Sequence, residues 1–199
     1  MKTTIALLTL SATTIMAAPE NLLNIAILQL PEQYLAGIPM ARRAELISNL
    51  SRNAADTRLD YANGWLGYAN DNPYRSVGAN SLFWIKLLPR KDREPLVFIH
   101  IPNRSENSAP PKSVTAILER RGDKWENVTE SLLPDGVNAT DCFVPRRNAA
   151  VIQIAPFVQA ERSDGRGKYW ADGQRTGELR WDGRKFEFSK TRPAKLTYD

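Results

Sequence analysis

The segment Leu59-Asp-Tyr-Ala-Asn-Gly-Trp-Leu-Gly-Tyr68 decides the fold class, because the dipeptide Asn63-Gly64 inside it is typical of a β-hairpin turn. A two-residue loop at this dipeptide pairs Ala62 with Trp65. Residues that pair directly share one face of the hairpin. Trp65 is therefore predicted to lie beside small residues, opposite a face of larger apolar side chains: Leu59, Tyr61, Leu66 and Tyr68.

A second hairpin is predicted around Asp182-Gly183, in the segment from Leu179 to Glu187. This turn places four apolar side chains on one face: Leu179, Trp181, Phe186 and Phe188. The segment from Leu118 to Glu126, 61 positions earlier, repeats Leu, Gly, Lys, an aromatic residue and Glu in the same order. A turn at Arg121-Gly122 would pair Leu118 with Trp125 and Glu119 with Lys124, so that opposite charges face each other. Two interpretations stay open, a duplicated unit and a chance similarity of turn residues.

Three further segments are predicted strands that are apolar at both parities: 81–88, 96–101 and 149–157. Strands of this kind are usually covered by other structure on both faces. Upstream, Pro31 to Gly37 predicts a short helix, and Pro39 opens a second helix that runs to about Asn53. In that helix Leu46, Ile47 and Leu50 have helical spacing, and Arg42 and Arg43 are expected to face solvent.

These elements predict an α+β fold, in which N-terminal helices pack on a largely antiparallel, hairpin-rich sheet of about eight strands or more. The chain of 199 residues is long enough for one domain. Residues 1–17 are predicted to be a signal peptide, since Lys2 precedes an apolar stretch that ends at Ala17 and Ala18. The mature domain would then span residues 18–199, exported to the periplasm or secreted.

The composition excludes several function classes. A single cysteine, Cys142, permits no intramolecular disulfide, and with a single histidine, His100, it cannot build Cys₄, Cys₂His₂ or His₃ zinc sites. Both residues lie in apolar strand-like segments and are expected to be buried.

No catalytic residue, metal site or cofactor is predicted, and no membrane-spanning segment is expected in the mature chain. The net charge of +5 comes from cations interleaved with acids, so nucleic acid is not an expected partner, although such a protein can adhere to anionic envelope polymers.

Trp65 and Tyr74 are the candidate binding residues. They belong to a group of aromatic side chains between Tyr61 and Trp84, and aromatic faces can hold sugars or peptides. The preferred hypothesis is an exported, non-catalytic protein that binds a protein or glycan partner of the cell envelope. The alternative is a secreted hydrolase that acts on glycans through carboxylates near these aromatic residues. Its candidate acids are Asp56, Asp60, Asp71, Asp92 and Glu94.

The segment from Leu30 to Ile47, Leu-Pro-Glu-Gln-Tyr-Leu-Ala-Gly-Ile-Pro-Met-Ala-Arg-Arg-Ala-Glu-Leu-Ile, resembles a family of uncharacterised exported bacterial proteins. Members of that family have a short helix after Pro-Asp/Glu, a helix with Arg-x-x-Leu-Ile, and then strands. The resemblance implies a bacterial source and a periplasmic or secreted location. It implies no catalytic residues.

Overall fold

The computed structural model describes residues 19–35, 38–50, 57–70, 81–102, 113–138, 140–161 and 168–197. Three α-helices and one 3₁₀ turn lie in these ranges: α1 (Pro19–Gln29), the 3₁₀ turn (Glu32–Tyr34), α2 (Met40–Leu50) and α3 (Thr129–Leu132). The strands are β1 (Thr57–Asp60), β2 (Trp65–Asn70), β3 (Ser81–Leu88), β4 (Leu96–Ile101), β5 (Val114–Arg121), β6 (Lys124–Asn127), β7 (Cys142–Pro145), β8 (Val151–Ala155), β9 (Phe157–Glu161), β10 (Lys168–Asp172), β11 (Arg175–Trp181) and β12 (Phe186–Ala194).

The strands form three antiparallel sheets. The first sheet has six strands in sequence order, β1 to β6, and the second has the order β12-β11-β8-β7. A separate hairpin pairs β9 with β10. The predicted α+β class with antiparallel pairing is confirmed. The prediction of one large sheet is wrong, because the strands divide into separate sheets that pack together, as large twisted sheets commonly do.

The first sheet is covered on both faces. One hydrophobic cluster joins Phe83, Ile85 and Ile99 of this sheet to buried side chains of α1, among them Leu23 and Ile27. On the opposite face, another cluster joins the first sheet to the second one. Its large members are Phe98 and Ile117 from the first sheet and Phe143, Ile152, Leu179 and Trp181 from the second. This double coverage explains why β3 and β4 are apolar at both parities.

The N-terminal helices differ in detail from the sequence prediction. The predicted helix after Pro31 is a single 3₁₀ turn, and the second helix begins at Met40. Arg43 is fully buried, so its predicted exposure is wrong. Its guanidinium donates hydrogen bonds to the carbonyl oxygens of Leu28 (3.3 Å), Leu30 and Ile38 (3.2 Å). Arg43 of α2 thus binds free carbonyls at the C-terminal end of α1, which is where a helix attracts a cation.

The first hairpin has a wider loop than the two-residue loop that the sequence predicts. Tyr61–Gly64 form the loop, and the register pairs Asp60 with Trp65 and Leu59 with Leu66. Asp60 stabilises this loop, because its carboxylate accepts the backbone N–H (3.1 Å) and the amide (2.9 Å) of Asn63. The predicted pairs are wrong by two positions, but a shift of two leaves each strand residue on its predicted face.

The other two predicted hairpins also form, and equivalent positions of the two similar segments are paired in both. Arg120 pairs with Trp125 in the first, and the equivalent Trp181 pairs with Phe186 in the second. The apolar face predicted for the second hairpin is confirmed, since Leu179, Trp181 and Phe186 belong to the cluster between the sheets and Phe188 packs against it. The predicted charge pairing in the first hairpin is wrong, because the loop is Gly122-Asp123 and the register therefore shifts by two. Whether the two hairpins are a duplication stays a hypothesis.

Candidate functional site

Trp65 is part of the core, so the prediction that it anchors a partner from an exposed position is wrong. Its side chain is 2% exposed, and the indole Nε1 donates to the carbonyl oxygen of Pro145 (3.0 Å). It packs with Trp84, Cys142 and Val144. The edge strand β7 of the second sheet supplies this cover. Tyr74, the other candidate, lies outside the described residues.

His100 is a buried structural side chain, as the sequence predicts. Its Nε2 accepts the backbone N–H of Phe143 (3.2 Å), so Nδ1 carries the proton and donates to Oγ1 of Thr115 (2.9 Å). The ring stacks on Trp84 with 5.8 Å between centroids. Burial lowers the pKa of His100 to about 3, which keeps the imidazole neutral. The residue therefore links the two sheets.

The carboxylates proposed for the hydrolase alternative are described in part. Asp60 pairs with Nε of Arg147 (2.7 Å) and with Asn63, and hydrogen bonds from Asn63 and Arg147 lower its pKa to about 2. Such a group stays ionised and cannot serve as a general acid near neutral pH. Glu94 lies 3.5 Å from Arg120. Asp56 and Asp71 are outside the described residues. The hydrolase hypothesis stays a prediction.

The structure places a different site at one end of the two sheets, a cavity of about 530 Å³ that we call the basic cleft. Its walls come from the β3–β4 loop, the end of β5, the α3 segment and the β11–β12 loop. Five of its side chains are cationic and two are carboxylates, which leaves an excess of three positive charges. The cations are Arg90, Lys91, Arg93, Arg121 and Arg184, and the acids are Asp92 and Glu119.

Two of the five cations are paired with carboxylates, one of which is Glu119 in the cleft. Its carboxylate binds Nη1 of Arg90 (2.5 Å) and Nη2 of Arg121 (2.9 Å). These contacts, with the Arg90 hydrogen bond foremost, lower the pKa of Glu119. Arg121 also binds Glu126 (2.9 Å), which lies directly opposite Glu119 in the register. The two arginines therefore offset a repulsion between paired glutamates and are not free for a ligand.

The remaining three cations make no ion pair of this kind, although Asp92 lies between Lys91 and Arg93 in the sequence and Asp182 interacts electrostatically with Arg184. Among the described residues, the side chains of Lys91, Arg93 and Arg184 have no hydrogen bond or ion pair. Each is exposed to solvent. The cations of the cleft that remain available to a ligand are therefore these three side chains.

Four hydrogen bonds fix the loops that carry these free cations. Nε1 of Trp181, at the end of β11, donates to the carbonyl oxygen of Pro89 (2.6 Å). Nε of Arg90 donates to the carbonyl oxygen of Glu94 (2.7 Å) and braces the β3–β4 loop. In the β11–β12 loop, Asp182 accepts the N–H groups of Arg184 (2.7 Å) and Lys185 (2.9 Å), and these bonds lower its pKa. The cleft walls are thus tied together across the two sheets.

Sequence reasoning missed this cleft because its residues come from four separate segments. In the charged segments acids lie among the cations, and no run of more than two basic residues appears. The Lys91, Asp92 and Arg93 sequence resembles an ordinary solvated loop. Only the pairing of Glu119 with Arg90 and Arg121 shows which cations are left over, and nothing in the local sequence reveals that pairing.

No group of three or more His, Cys, Asp or Glu side chains is arranged to hold a metal ion in the described part of the chain. Of the helices described, none is both long and apolar enough to cross a membrane. Comparisons with protein-family models, with curated proteins and with solved structures find no match to this chain.

Proposed function

We propose that this protein is an exported, non-catalytic binding protein that associates with an anionic partner of the cell envelope through the basic cleft. The observation that carries the proposal is the set of three exposed cations without ion pairs, Lys91, Arg93 and Arg184, in one cavity of about 530 Å³. Ligand sites commonly have volumes of about 300–1,000 Å³. A preorganised excess of positive charge also raises the rate at which an anion is captured.

Export is the second half of the proposal. It is supported by the sequence of residues 1–17 and by the place of α1 in the core. Leu22, Leu23, Ala26 and Ile27 of α1 are fully buried, so the folded domain needs α1 intact. A cut after Ala17 would remove the signal peptide and leave this helix whole. An anionic partner fits such a location, because envelopes carry acidic polymers.

The test is retention on an immobilised acidic polysaccharide, with a neutral polysaccharide as the reference matrix. The variant Lys91→Glu/Arg93→Glu/Arg184→Glu should lose retention on the acidic matrix, because three attractive contacts become repulsive. The wild type should elute as salt rises, since exposed charge pairs are screened over about 10 Å at 0.1 M salt.

The control variant is Lys124→Glu/Arg192→Glu/Lys195→Glu, which alters net charge equally at exposed positions outside the cleft. It should keep most of the retention. Equal loss in both variants would show that total charge, and not the cleft, governs binding. Equal retention on the neutral matrix would also contradict the proposal.

A further inference from the structure

The free cations of the basic cleft belong to different sheets. Lys91 and Arg93 lie on the β3–β4 loop of the first sheet, and Arg184 lies on the β11–β12 loop of the second. The hydrogen bond from Trp181 to Pro89 holds these two loops together. The free cations of the cleft therefore come from two loops, one in each sheet.

The same cleft is also lined by four apolar side chains: Leu96, Val128, Leu132 and Trp181. All four belong to, or pack against, the hydrophobic cluster between the two sheets. Leu96 and Trp181 are almost fully buried, so they form the deep part of the lining. A cavity of about 530 Å³ is also far larger than one water-sized group, which occupies about 30 Å³. An inorganic anion alone would fill little of it.

We infer that the cleft takes a ligand with two acidic groups on either side of an apolar carbon body. This inference rests on the proposed function and names the chemistry of its ligand. One acidic group pairs with Lys91 and Arg93, and the other pairs with Arg184. The carbon body covers the apolar lining. Successive acidic units of an envelope polymer, or a free dicarboxylate, both have this chemistry.

The first experiment measures binding to the full chain by calorimetry at low salt, with three probes: octanedioate, octanoate and inorganic phosphate. Octanedioate should bind more tightly than either of the others, by up to about fivefold, because one extra ion pair at a surface contributes up to about 1 kcal/mol. If phosphate or octanoate binds as tightly as octanedioate, the inference of two separated acidic groups is overturned.

The second experiment uses single variants. Arg184→Gln should weaken octanedioate binding to the level of octanoate, and Arg93→Gln should act in the same direction. Lys124→Gln, at an exposed position of β6, is the matched control and should leave both affinities unchanged. If Arg184→Gln leaves octanedioate binding unchanged, the assignment of one acidic group to the β11–β12 loop is wrong.

A third arm identifies the source of the two acidic groups. Octanedioate and an acidic disaccharide with one carboxylate on each ring are each used to elute the protein from the acidic matrix. Stronger elution by the disaccharide would identify successive polymer units, and stronger elution by octanedioate would identify a free dicarboxylate. If neither elutes the protein but the Lys91/Arg93/Arg184 variant still loses retention, the proposed function stands and this inference fails.

Discussion

At the scale of single residues, His100 is a base that the fold keeps neutral. Its two ring nitrogens have opposite roles, one as a donor to Thr115 and one as an acceptor from Phe143. Protonation would place a second hydrogen where the N–H of Phe143 already donates. It would also create a charge in a fully buried position. The fold is therefore sensitive to acid at this residue.

The protein should become less stable as the pH decreases from 7.5 to 5, because His100 titrates in the unfolded chain over this range. Its pKa is about 3 in the folded state and about 6.5 when unfolded, so the unfolded chain binds the extra proton between these values. The free energy of unfolding should therefore drop by roughly 2 kcal/mol between pH 7.5 and pH 5. Urea unfolding at a series of pH values measures this change.

The control is His100→Gln, which cannot titrate and can keep both hydrogen bonds. Its stability should depend much less on pH above 5. Asp60 does not interfere, because its lowered pKa of about 2 confines its loss of stabilisation to pH values below its ordinary pKa of 3.8. The same pH dependence in the wild type and in the variant would contradict the assignment.

Single residues also show what sequence can predict at this scale. His100 lies in an apolar strand, and that local context is enough to predict its burial. Trp65 is different, because its exposure depends on whether a second layer covers its face of the hairpin. That layer includes Cys142 and Val144, almost 80 positions away. The local pattern predicted the correct face for Trp65 but could not show that a distant strand covers this face.

At the scale of elements, α1 and α2 are joined by a buried cation. Replacement of Arg43 by Met should leave the carbonyls of Leu28, Leu30 and Ile38 without their donor. We expect a loss of about 2–4 kcal/mol in the free energy of unfolding, since the buried carbonyl of Leu30, left unpaired, costs about 1–3 kcal/mol and two partly buried carbonyls lose their donor as well. Chemical denaturation measures the loss, and hydrogen exchange should locate it at the C-terminal turn of α1.

The neighbouring substitution Arg42→Met is the matched control. Arg42 is exposed, so the same chemical change should alter stability by less than about 0.5 kcal/mol. If Arg43→Met is as mild as Arg42→Met, the guanidinium does not stabilise the end of α1. Helical spacing does separate these two arginines, because Arg43 precedes Leu46 by three positions and Ile47 by four and so shares their face, whereas its charge alone predicts exposure.

The hairpins show what sequence can and cannot predict at the element scale. Turn dipeptides correctly predicted that Asn63-Gly64, Arg121-Gly122 and Asp182-Gly183 connect antiparallel strands. They did not predict the register, because the two-residue loop after Arg121 begins one position late and the other two loops have four residues. At the first hairpin, Asp60 binds Asn63 and so stabilises a four-residue loop.

At the scale of the whole molecule, α1 is a cover that the first sheet needs. We predict that the exported protein begins at Ala18, and that a chain starting there is as stable as the full-length one. A chain that begins at Pro31 should lose its cooperative unfolding transition, because the first sheet would expose the face that Phe83 and Ile85 now share with α1.

N-terminal sequencing of exported material and thermal unfolding of both shortened chains check this prediction. Recovery of Met1 from exported material would contradict the cleavage site. Cooperative unfolding of the chain that starts at Pro31, at an unchanged temperature, would show that α1 is dispensable.

The order of the strands has a consequence for the speed of assembly. Every neighbour within the first sheet is also the next strand along the chain, so each pairing closes a short segment. In the second sheet only β8 and β11 are brought together across an intervening hairpin. A topology dominated by local pairings has a low contact order, which favours rapid folding among β-rich proteins. A chain that emerges from a translocation channel with its N-terminus first could complete the first sheet before the second has emerged, which shortens the time for which its apolar strands are open to aggregation.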